Sequence, residues 1–359
     1  MNLKKVEKLG KNLLIGLAGL FIEKVCLEKE SLDFSRVKKI LLVRQDKRLG
    51  NLVLTLPVVS AIKKKFPLMH IGYLADEKFA EVLGMCSEID EIFVLKKSSF
   101  WNPLKFISAI NRIRKTNFDL ALDLSDENNF SFSNAFLTYL SKAPVRVGYQ
   151  KAQNRGFLNL EVPITQKERH VVDRHLDLVR FVAEEVPTPE FNLVINSENL
   201  KWAENYLAGK NVSRNDFLVG VHVGGRGKKR WRIENFAEIS DWLTKENYKI
   251  LVFWGKDEEN LLPTLRRKGS DKIIFSDLLP VQKLSALIKG CNLFISSDTG
   301  PMHLAVALKV PTLAIFIDSD ARKYGPPGEE HRIVAGDTSL QRVKTNLKEM
   351  LEVPQPALK

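Results

Sequence analysis

The sequence predicts an α/β protein built from two Rossmann-like halves. A length of 359 residues allows about two domains at roughly 150 residues each, enough for each to bury a core. Short apolar runs alternate with amphipathic stretches, which is typical of βαβ units around a parallel sheet. This alternation restarts near residue 217, after a segment rich in charge and proline. We therefore expect domains at 36–190 and 191–335, preceded by a helix within 1–35 and followed by a helix and tail at 336–359.

The first 35 residues combine lysines with a short apolar run from Leu13 to Ile22. The run is far shorter than the roughly 20 apolar residues that span a bilayer, and no small-residue cleavage site of a signal peptide follows it. Wound as a helix, one face collects Val6, Leu9, Leu13, Leu17, Leu20 and Phe21. Two interpretations stay open: an amphipathic helix lying on an anionic membrane, or a helix packed on the body of the protein.

The first half contains four predicted strands, at 39–43, 71–74, 92–95 and 120–124, and three predicted helices, at 52–65, 78–83 and 103–115. The first of these helices ends before Pro67, because proline cannot continue a helix. From about residue 144 to 193 the alternation pauses, and Pro187 and Pro189 indicate a linker near 187–200.

The second half contains five predicted strands, at 217–223, 249–253, 272–275, 293–296 and 312–317, and three predicted helices, at 235–245, 301–308 and 340–351. Ligands of such sheets bind beyond the carboxyl ends of the strands, and the cleft between two facing domains is the expected site. The segments that follow strands are therefore the functional candidates.

The net charge and the cysteine content indicate the kind of partner and the cellular compartment. The net charge of +12 indicates an anionic partner, and half of it lies in the first 50 residues. Cys26, Cys86 and Cys291 are too few and too widely spaced for a disulfide framework or a zinc site, which indicates a reducing compartment such as the cytoplasm.

Two segments of the second half have the chemistry of a phosphate site. Val221 to Trp231 reads VHVGGRGKKRW, in which three glycines follow a strand and four basic residues lie within five positions. Glycines let backbone N–H groups approach phosphate oxygens, yet the spacing is neither Walker A nor GxGxxG. Ser296 to His303 reads SSDTGPMH, where Asp298 or Thr299 can cap a helix opened by Pro301. The positive end of that helix suits an anion.

These segments resemble the glycosyltransferase family that includes the ADP-heptose:lipopolysaccharide heptosyltransferases, known as glycosyltransferase family 9. The resemblance covers about residues 38–334 and is strongest at SDTGPMHLA, from Ser297 to Ala305. Four further matches occur in order along the chain: LTLP from Leu54, KRWRIENF from Lys229, WGKDEE from Trp254, and VPT from Val310 with YGP from Tyr324. The resemblance implies a GT-B fold, with the acceptor on the N-terminal half and the donor on the C-terminal half.

The resemblance also implies residue roles. The diphosphate contacts fall on Gly224, Gly225, Lys229, Thr299 and Gly300. Glu259 matches the acidic residue that holds the ribose hydroxyls, and Leu279 matches a backbone contact near the adenine. Asp298 matches the residue that contacts the sugar and the neighbouring phosphate, and His303 matches a further contact to the donor.

The turn after the first strand departs from the family, which usually has Gly-Asp with that Asp as the base. Here the pair is Gly50-Asn51, and an amide cannot remove a proton at neutral pH. Asp46, five residues earlier and beside Arg44, Lys47 and Arg48, is our predicted base. Another base, or a protein that binds sugar nucleotides without catalysis, are the alternatives.

The resulting prediction is an inverting transferase of heptose or a related sugar that needs no metal and no cofactor, with Lys229 stabilising the leaving phosphate. A lipid-linked anionic glycan, such as the lipopolysaccharide core, is the expected acceptor. An anionic membrane, at the inner face of the inner membrane, is a further expected partner through the N-terminal helix. Candidate acceptor contacts, each of which is equally consistent with a solvated surface, are Arg112, Arg114, Lys115, Arg146, Lys151 and Arg155. A family member with another nucleotide sugar stays open, whereas the absence of a nucleic-acid motif excludes a nucleic-acid-binding protein.

Overall fold

The computed structural model describes residues 25–96, 102–154, 156–164, 169–268 and 272–352. It divides them into two compact units, one formed by residues up to 47 with 55–190, and one formed by 48–54 with 191 onwards. Residues 48–54, predicted to lie in the first domain, thus cluster with the second unit. Most of the predicted N-terminal helix lies outside the described residues, as does Arg155.

The first unit is built on a parallel sheet with the strand order β3-β2-β1-β4-β5-β6. Its strands are β1 (Lys39–Arg44), β2 (His70–Asp76), β3 (Glu91–Leu95), β4 (Leu120–Asp123), β5 (Val145–Tyr149) and β6 (Leu160–Val162). Helices cover the sheet, so the strands are buried and apolar rather than alternating; Leu41, Val43 and Ala121 pack with Ile110 and Leu137.

The helices of this part of the chain are α1 (Leu49–Val53), α2 (Leu56–Lys65), α3 (Ala80–Leu83), α4 (Pro103–Lys115), α5 (Phe132–Leu140) and α6 (Val171–Ala183). The prediction of one helix over 52–65 was wrong, because α1 and α2 are separate. Pro57 lies in the first turn of α2, where its missing N–H costs nothing, whereas inside a continuous helix it would remove a hydrogen bond.

The predicted pause in the alternation after residue 144 was also wrong, since β5, β6 and α6 lie there. The second residue of the short strand β5 is Arg146. This charged residue interrupts the apolar run that would otherwise indicate a buried strand. The half-buried guanidinium donates hydrogen bonds to the carbonyls of Ala143 and Phe157, which explains how the strand accommodates it.

The second unit repeats the same topology, with the order β12-β11-β10-β7-β8-β9. Its strands are β7 (Leu218–His222), β8 (Lys249–Phe253), β9 (Ile273–Phe275), β10 (Leu293–Ser297), β11 (Thr312–Phe316) and β12 (Arg332–Ala335). Its further helices are α7 (Ser197–Ala208), α8 (Ile233–Lys245), α9 (Leu262–Lys268), α10 (Val281–Lys289), α11 (Gly300–Ala307), α12 (Ala321–Tyr324) and α13 (Leu340–Glu352). The C-terminal helix α13 inserts Val343, Leu347 and Met350 into the core of this unit.

Each sheet has one switch point, where the order of strands reverses between the first and the fourth strand of its unit. In the first unit this point lies between β1 and β4, and in the second it lies between β7 and β10. Doubly wound sheets bind ligands in the crevice at the carboxyl ends of these two strands. The fold therefore indicates two candidate ligand sites, one in each unit.

Candidate functional site

The glycine segment begins directly after β7 and folds tightly over its end. A Cβ atom on residue 224 would lie 2.5 Å from His222 Cε1, and one on residue 225 would lie 2.7 Å from Arg230 Cα. Both positions therefore need glycine because of close approach. Lys229 follows in a short 3-10 helix, Gly227–Lys229.

The ends of β7 and β10 are tied together by a buried group of polar side chains. His222 Nδ1 lies 3.3 Å from Ser296 Oγ and 3.2 Å from Thr299 Oγ1, and the two hydroxyl oxygens are 2.9 Å apart. Burial lowers the pKa of His222 to about 4, so its imidazole is neutral at pH 7. Thr299 also caps α11 by accepting from Met302 N–H at 3.4 Å, which fixes the start of that helix.

Asp298 lies between two cationic or proton-donating side chains. Its Oδ2 is 2.7 Å from Lys229 Nζ, and its Oδ1 is 3.3 Å from His303 Nε2. Burial alone would raise the pKa of Asp298, but hydrogen bonds from His303 and Lys229 outweigh burial and hold it well below the usual range. The carboxylate is thus ionised and nearly inaccessible, with 8% of its side chain exposed.

The short helix α1 packs against α11 within the second unit. A Cβ atom on residue 50 would lie 2.6 Å from His303 Cδ2, and one on residue 300 would lie 2.9 Å from Leu49 Cβ. Gly50 and Gly300 therefore permit a contact between helices that any larger residue would push apart. Asn51, which is half-buried, follows Gly50 on the same helix.

Glu259 and Leu279 also follow strands of the second sheet. Glu259 is exposed in the 3-10 helix Lys256–Leu261 after β8, and Leu279 is half-buried after β9. The neighbouring Glu258 turns back and accepts from Gly255 N–H at 2.9 Å. The carboxyl edge of this sheet thus carries every substrate-binding residue predicted for the donor.

The β1–β4 switch point of the first unit is held by side chains. Asp46 Oδ2 is 2.8 Å from Arg44 Nη2, and its Oδ1 accepts from Lys47 N–H at 2.6 Å. Arg44, which is buried, also donates to the carbonyl of Leu124. Asp46, our predicted base, is therefore anchored at both carboxylate oxygens to its own loop and to Arg44.

Asn134 on α5 links the two strands of this switch point. Its Oδ1 accepts from Gln45 N–H at 2.8 Å, while its Nδ2 donates to Val43 O at 3.3 Å and to Asp123 Oδ1 at 3.1 Å. Nearby, Lys151 Nζ donates to Ser125 Oγ at 2.9 Å. Burial lowers the pKa of Lys151, although the carboxylates of Asp123 and Asp126 oppose that shift.

The candidate acceptor cations fall at two different edges of the first sheet. Lys151 follows β5 at the carboxyl edge, whereas Lys39 Nζ at the start of β1 donates to Thr116 O, which places the end of α4 at the amino edge. The residues that lie toward that amino edge are Arg112, Arg114, Lys115 and Arg146. Among the described candidates, only Lys151 lies where a ligand of the switch point binds.

Several polar residues of both switch points were missed from the sequence. Asp123 is the last residue of β4 and Ser125 lies two residues beyond it, so attention to this strand end would have found both. His222 lies within the segment from Val221 to Trp231 but was not singled out, whereas Asn134 and the buried His175 carry no such positional signal. Both ring nitrogens of His175 have no hydrogen-bond partner among the described residues, and burial lowers its pKa to about 3.

No group of three or more His, Cys, Asp or Glu side chains in the described part of the chain could hold a metal ion. In the same residues, no helix combines the length and the apolar character that crossing a membrane requires.

The chain matches the model of one protein family and is similar to several known proteins. The model of glycosyltransferase family 9 (heptosyltransferase) matches residues 106–352. Lipopolysaccharide core heptosyltransferase OpsX of Haemophilus influenzae is 20% identical over 314 residues, which cover 84% of this chain and 86% of the relative. Lipopolysaccharide heptosyltransferase 3 of Escherichia coli K12 is 24% identical over 288 residues, which cover 76% of this chain and 80% of the relative.

Two solved structures of similar proteins have the same fold. A glycosyl transferase family 9 protein of Veillonella parvula has a TM-score of 0.75 and 24% identity, covering 90% of this chain and 92% of that one. The ADP-heptose LPS heptosyltransferase II of Escherichia coli has a TM-score of 0.72 and 19% identity, covering 87% and 98%. The predicted fold class, α/β with the two Rossmann-like halves of GT-B architecture, is confirmed.

Proposed function

Because the chain belongs to glycosyltransferase family 9, as its motifs predict, we propose that it transfers a heptose from ADP-heptose to a lipopolysaccharide core acceptor. The single observation that carries this proposal is the Lys229–Asp298–His303 cluster at the start of α11. It lies at the switch point beside a loop that contains three glycines, which is an arrangement that suits a nucleoside diphosphate sugar.

The donor diphosphate has backbone partners at this switch point. The glycine loop and the first turn of α11 supply N–H groups from Gly224, Gly225, Thr299 and Gly300, and Lys229 supplies a positive charge. We assign the ribose hydroxyls to Glu259, the adenine to the backbone at Leu279, and the sugar to Asp298. The exposed carboxylate of Glu259 supports the ribose assignment, because it can accept hydrogen bonds from hydroxyls.

The proposed reaction is a single displacement that inverts the anomeric centre. The acceptor oxygen loses its proton to a base and bonds to the anomeric carbon, and the bond to the phosphate oxygen breaks with its electron pair on ADP. Negative charge therefore grows on the diphosphate. Lys229 and the N–H groups of α11 stabilise it, and such preorganised donors contribute roughly 3–4 kcal/mol each. We propose that these groups act without a metal ion.

The acceptor is assigned to the first unit, at the β1–β4 switch point. Lys151, Asp123 and Ser125 combine a cation, a carboxylate and a hydroxyl there, which suits a sugar bearing both hydroxyls and acidic groups. The named acceptor class of the relatives, lipopolysaccharide, is lipid-linked. We therefore propose that the protein works in the cytoplasm and reaches the inner membrane through its basic N-terminal segment.

Asn51 favours one alternative function, the binding of sugar nucleotides without transfer. The family's usual carboxylate is an amide in this chain, and an amide accepts no proton. Asp46 is the base predicted from the sequence and, because Arg44 holds it in place, it stays the first residue to test. A turnover assay separates an enzyme from a binder.

The purified full chain, incubated with ADP-heptose and a heptose-free lipopolysaccharide core acceptor, is expected to release ADP and to add one heptosyl group to the acceptor by mass spectrometry. A thermal-shift panel of ADP, UDP, GDP and CDP is expected to favour ADP, since a ligand at a hundredfold excess over its Kd stabilises the fold by about 2.7 kcal/mol. A preference for UDP or GDP would contradict the ADP-heptose assignment. Binding of ADP without any turnover would favour the binder.

A further inference from the structure

Helix α4 of the first unit presents two large apolar side chains to solvent. Leu104 is 80% exposed and Ile107 is 53% exposed, and a spacing of three residues makes them neighbours on the surface of the helix. Ile110 and Ile113 of the same helix are buried in the core of the unit, so the fold already uses a different face of α4. Adjacent exposed apolar side chains indicate a surface that another apolar phase covers.

A cavity of about 460 Å³ lies beside these residues, between α4 and the strands β2 and β3. Its floor is formed by Leu74, Phe93 and Leu95, which are all buried. Leu104 lines the same cavity and is exposed, so the cavity opens at the surface. Pockets of roughly 300–1,000 Å³ hold small ligands, and the apolar floor favours a hydrocarbon chain.

The charge around the cavity favours an anionic lipid. All residues of α4 are described, and the helix carries Lys105, Arg112, Arg114 and Lys115 but no acidic residue. Lys105 and Arg112 line the cavity, and its described lining contains no acidic side chain. Glu91 pairs with Arg112 at 3.3 Å, yet the Arg112 side chain stays 61% exposed. A headgroup phosphate can therefore still reach the guanidinium.

The cavity reaches the edge of the first sheet to which the acceptor is assigned. Leu95, which lines it, is the last residue of β3, and α4 begins after that strand at Pro103. The strands from β3 to β4 are parallel, so the end of β3 and the β1–β4 switch point lie at the same carboxyl edge. A lipid bound beside α4 and a glycan at the switch point would therefore meet the same unit at one edge.

We propose that α4 and the cavity beside it form a docking surface for an anionic phospholipid bilayer. Leu104 and Ile107 insert among the acyl chains, one acyl chain enters the cavity, and Lys105 and Arg112 bind headgroup phosphates. This docking surface is distinct from the basic N-terminal segment. The contact with the bilayer stands without the proposed function, whereas its benefit for the transfer of sugar to a lipid-linked acceptor rests on that function.

Co-sedimentation of the full chain with vesicles of equal parts phosphatidylglycerol and phosphatidylcholine tests the surface. The double variant Leu104→Glu, Ile107→Glu places carboxylates at exposed positions, where they do not disturb the core, and should lower the partition coefficient by about tenfold or more. Leu68→Glu is the matched control, because Leu68 is 97% exposed in the same unit and does not line the cavity. It should change the partition coefficient by less than about twofold.

Two outcomes of the sedimentation experiment would overturn the inference. If the double variant binds the vesicles as tightly as the wild type, the N-terminal segment alone contacts the membrane. If the wild type binds no vesicle and elutes as a dimer that the double variant converts to a monomer, a second copy of the chain covers the surface.

Lys105→Glu tests the charge of the docking surface. It should weaken binding to the same vesicles by about fivefold or more, because a cation near the headgroups becomes an anion. Lys142→Glu, at an exposed lysine of the same unit outside α4, changes the net charge equally and should weaken binding by less than about twofold. Equal losses would show that net charge alone attracts the vesicle, which would contradict a specific surface.

Ser108→Asp tests the entry of an acyl chain into the cavity, which Ser108 lines. Asn111→Asp adds the same charge to an exposed position of α4 that does not line the cavity. We expect Ser108→Asp to weaken vesicle binding at least about threefold more than Asn111→Asp does, because a carboxylate at the cavity opposes a hydrocarbon chain. Equal effects would overturn the assignment of a chain to the cavity.

A transfer assay separates this inference from the proposed function. With ADP-heptose and a heptose-free lipopolysaccharide core acceptor embedded in vesicles, the Leu104→Glu, Ile107→Glu variant should have a KM for the acceptor that is higher by about tenfold or more. With the deacylated acceptor, its kcat and KM should stay within about twofold of the wild type. An equal loss with both acceptors would contradict a role in docking. If the wild type transfers to neither acceptor while the variant still loses vesicle binding, the proposed function fails and the docking surface stands.

Discussion

The two switch points have the same strand order but are filled differently. Between β1 and β4, the side chains of Arg44, Asp46 and Asn134 hold the loop by hydrogen bonds to one another and to backbone. Between β7 and β10, Gly224 and Gly225 let the loop pack closely against His222 and Arg230. One topology thus carries a loop held by side chains at one switch point and a close-packed glycine loop beside Lys229 and Asp298 at the other. The first suits a glycan with varied functional groups, and the second suits a diphosphate.

The largest expected effect concerns the charge at the backbone-lined switch point. Lys229→Met should lower kcat by about 100-fold to 1,000-fold, because the leaving diphosphate loses a preorganised positive group. Steady-state kinetics with ADP-heptose measures this, with Lys245→Met as the matched control, since Lys245 lies exposed on α8 and pairs with Asp241. A decrease in kcat smaller than about tenfold would contradict a role of Lys229 in stabilising the leaving diphosphate.

Each switch point contains a buried neutral histidine. Because of these two histidines, a lower pH should reduce the stability of the folded protein. The pKa is lowered to about 4 for His222 and to about 3 for His175, against about 6.5 in the unfolded chain. The unfolded state therefore binds more protons below pH 6.5, so stability falls with pH down to the folded-state pKa.

Between about pH 6.5 and pH 4.5, each histidine should cost about 2–3 kcal/mol of unfolding free energy. Urea titrations at the two pH values measure this cost. His222→Gln and His175→Gln should each have a shallower pH dependence than the wild type. A variant with an unchanged pH dependence would show that its histidine is protonated equally in both states.

Asn134→Ala tests the side-chain support of the first switch point. The substitution leaves the half-buried N–H of Gln45 and the buried carbonyl of Val43 without their side-chain partner, which should cost about 2–3 kcal/mol. Urea unfolding at neutral pH measures the change. Ser133→Ala, one residue earlier on the same helix and linked to Ser131 by a 3.3 Å contact, should cost less than about 1 kcal/mol. Equal costs would contradict a linking role for Asn134.

The smallest expected effect concerns the contact between α1 and α11. Gly50→Ala should destabilise by about 1–3 kcal/mol, because its methyl group would overlap the His303 ring. Gly84→Ala is the matched control, since the nearest atom to its Cβ is 3.4 Å away and its backbone is helical. Equal melting temperatures of the two variants would contradict the close packing of Gly50 against the His303 ring.

The sequence predicted the strand ends well because apolar runs between polar segments indicate buried parallel strands. Gly224, Asp298 and Thr299 were identified simply as residues that follow strands, without any argument from helical periodicity. Contacts across long stretches of chain were not predictable in this way. Asn134 meets Gln45 across 89 residues, and no periodicity indicates which helix residue faces which loop. The membership of α1 in the second unit was hidden for the same reason.

Hydrogen–deuterium exchange of the full chain with and without ADP tests the difference between the two switch points most directly. We expect ADP to slow exchange at residues 223–230 and 298–303, where we propose that backbone N–H groups bind the diphosphate. Exchange at 44–47 and 123–126 should stay unchanged. Protection of the first switch point, with none at the second, would contradict the assignment of the donor to the glycine-lined edge.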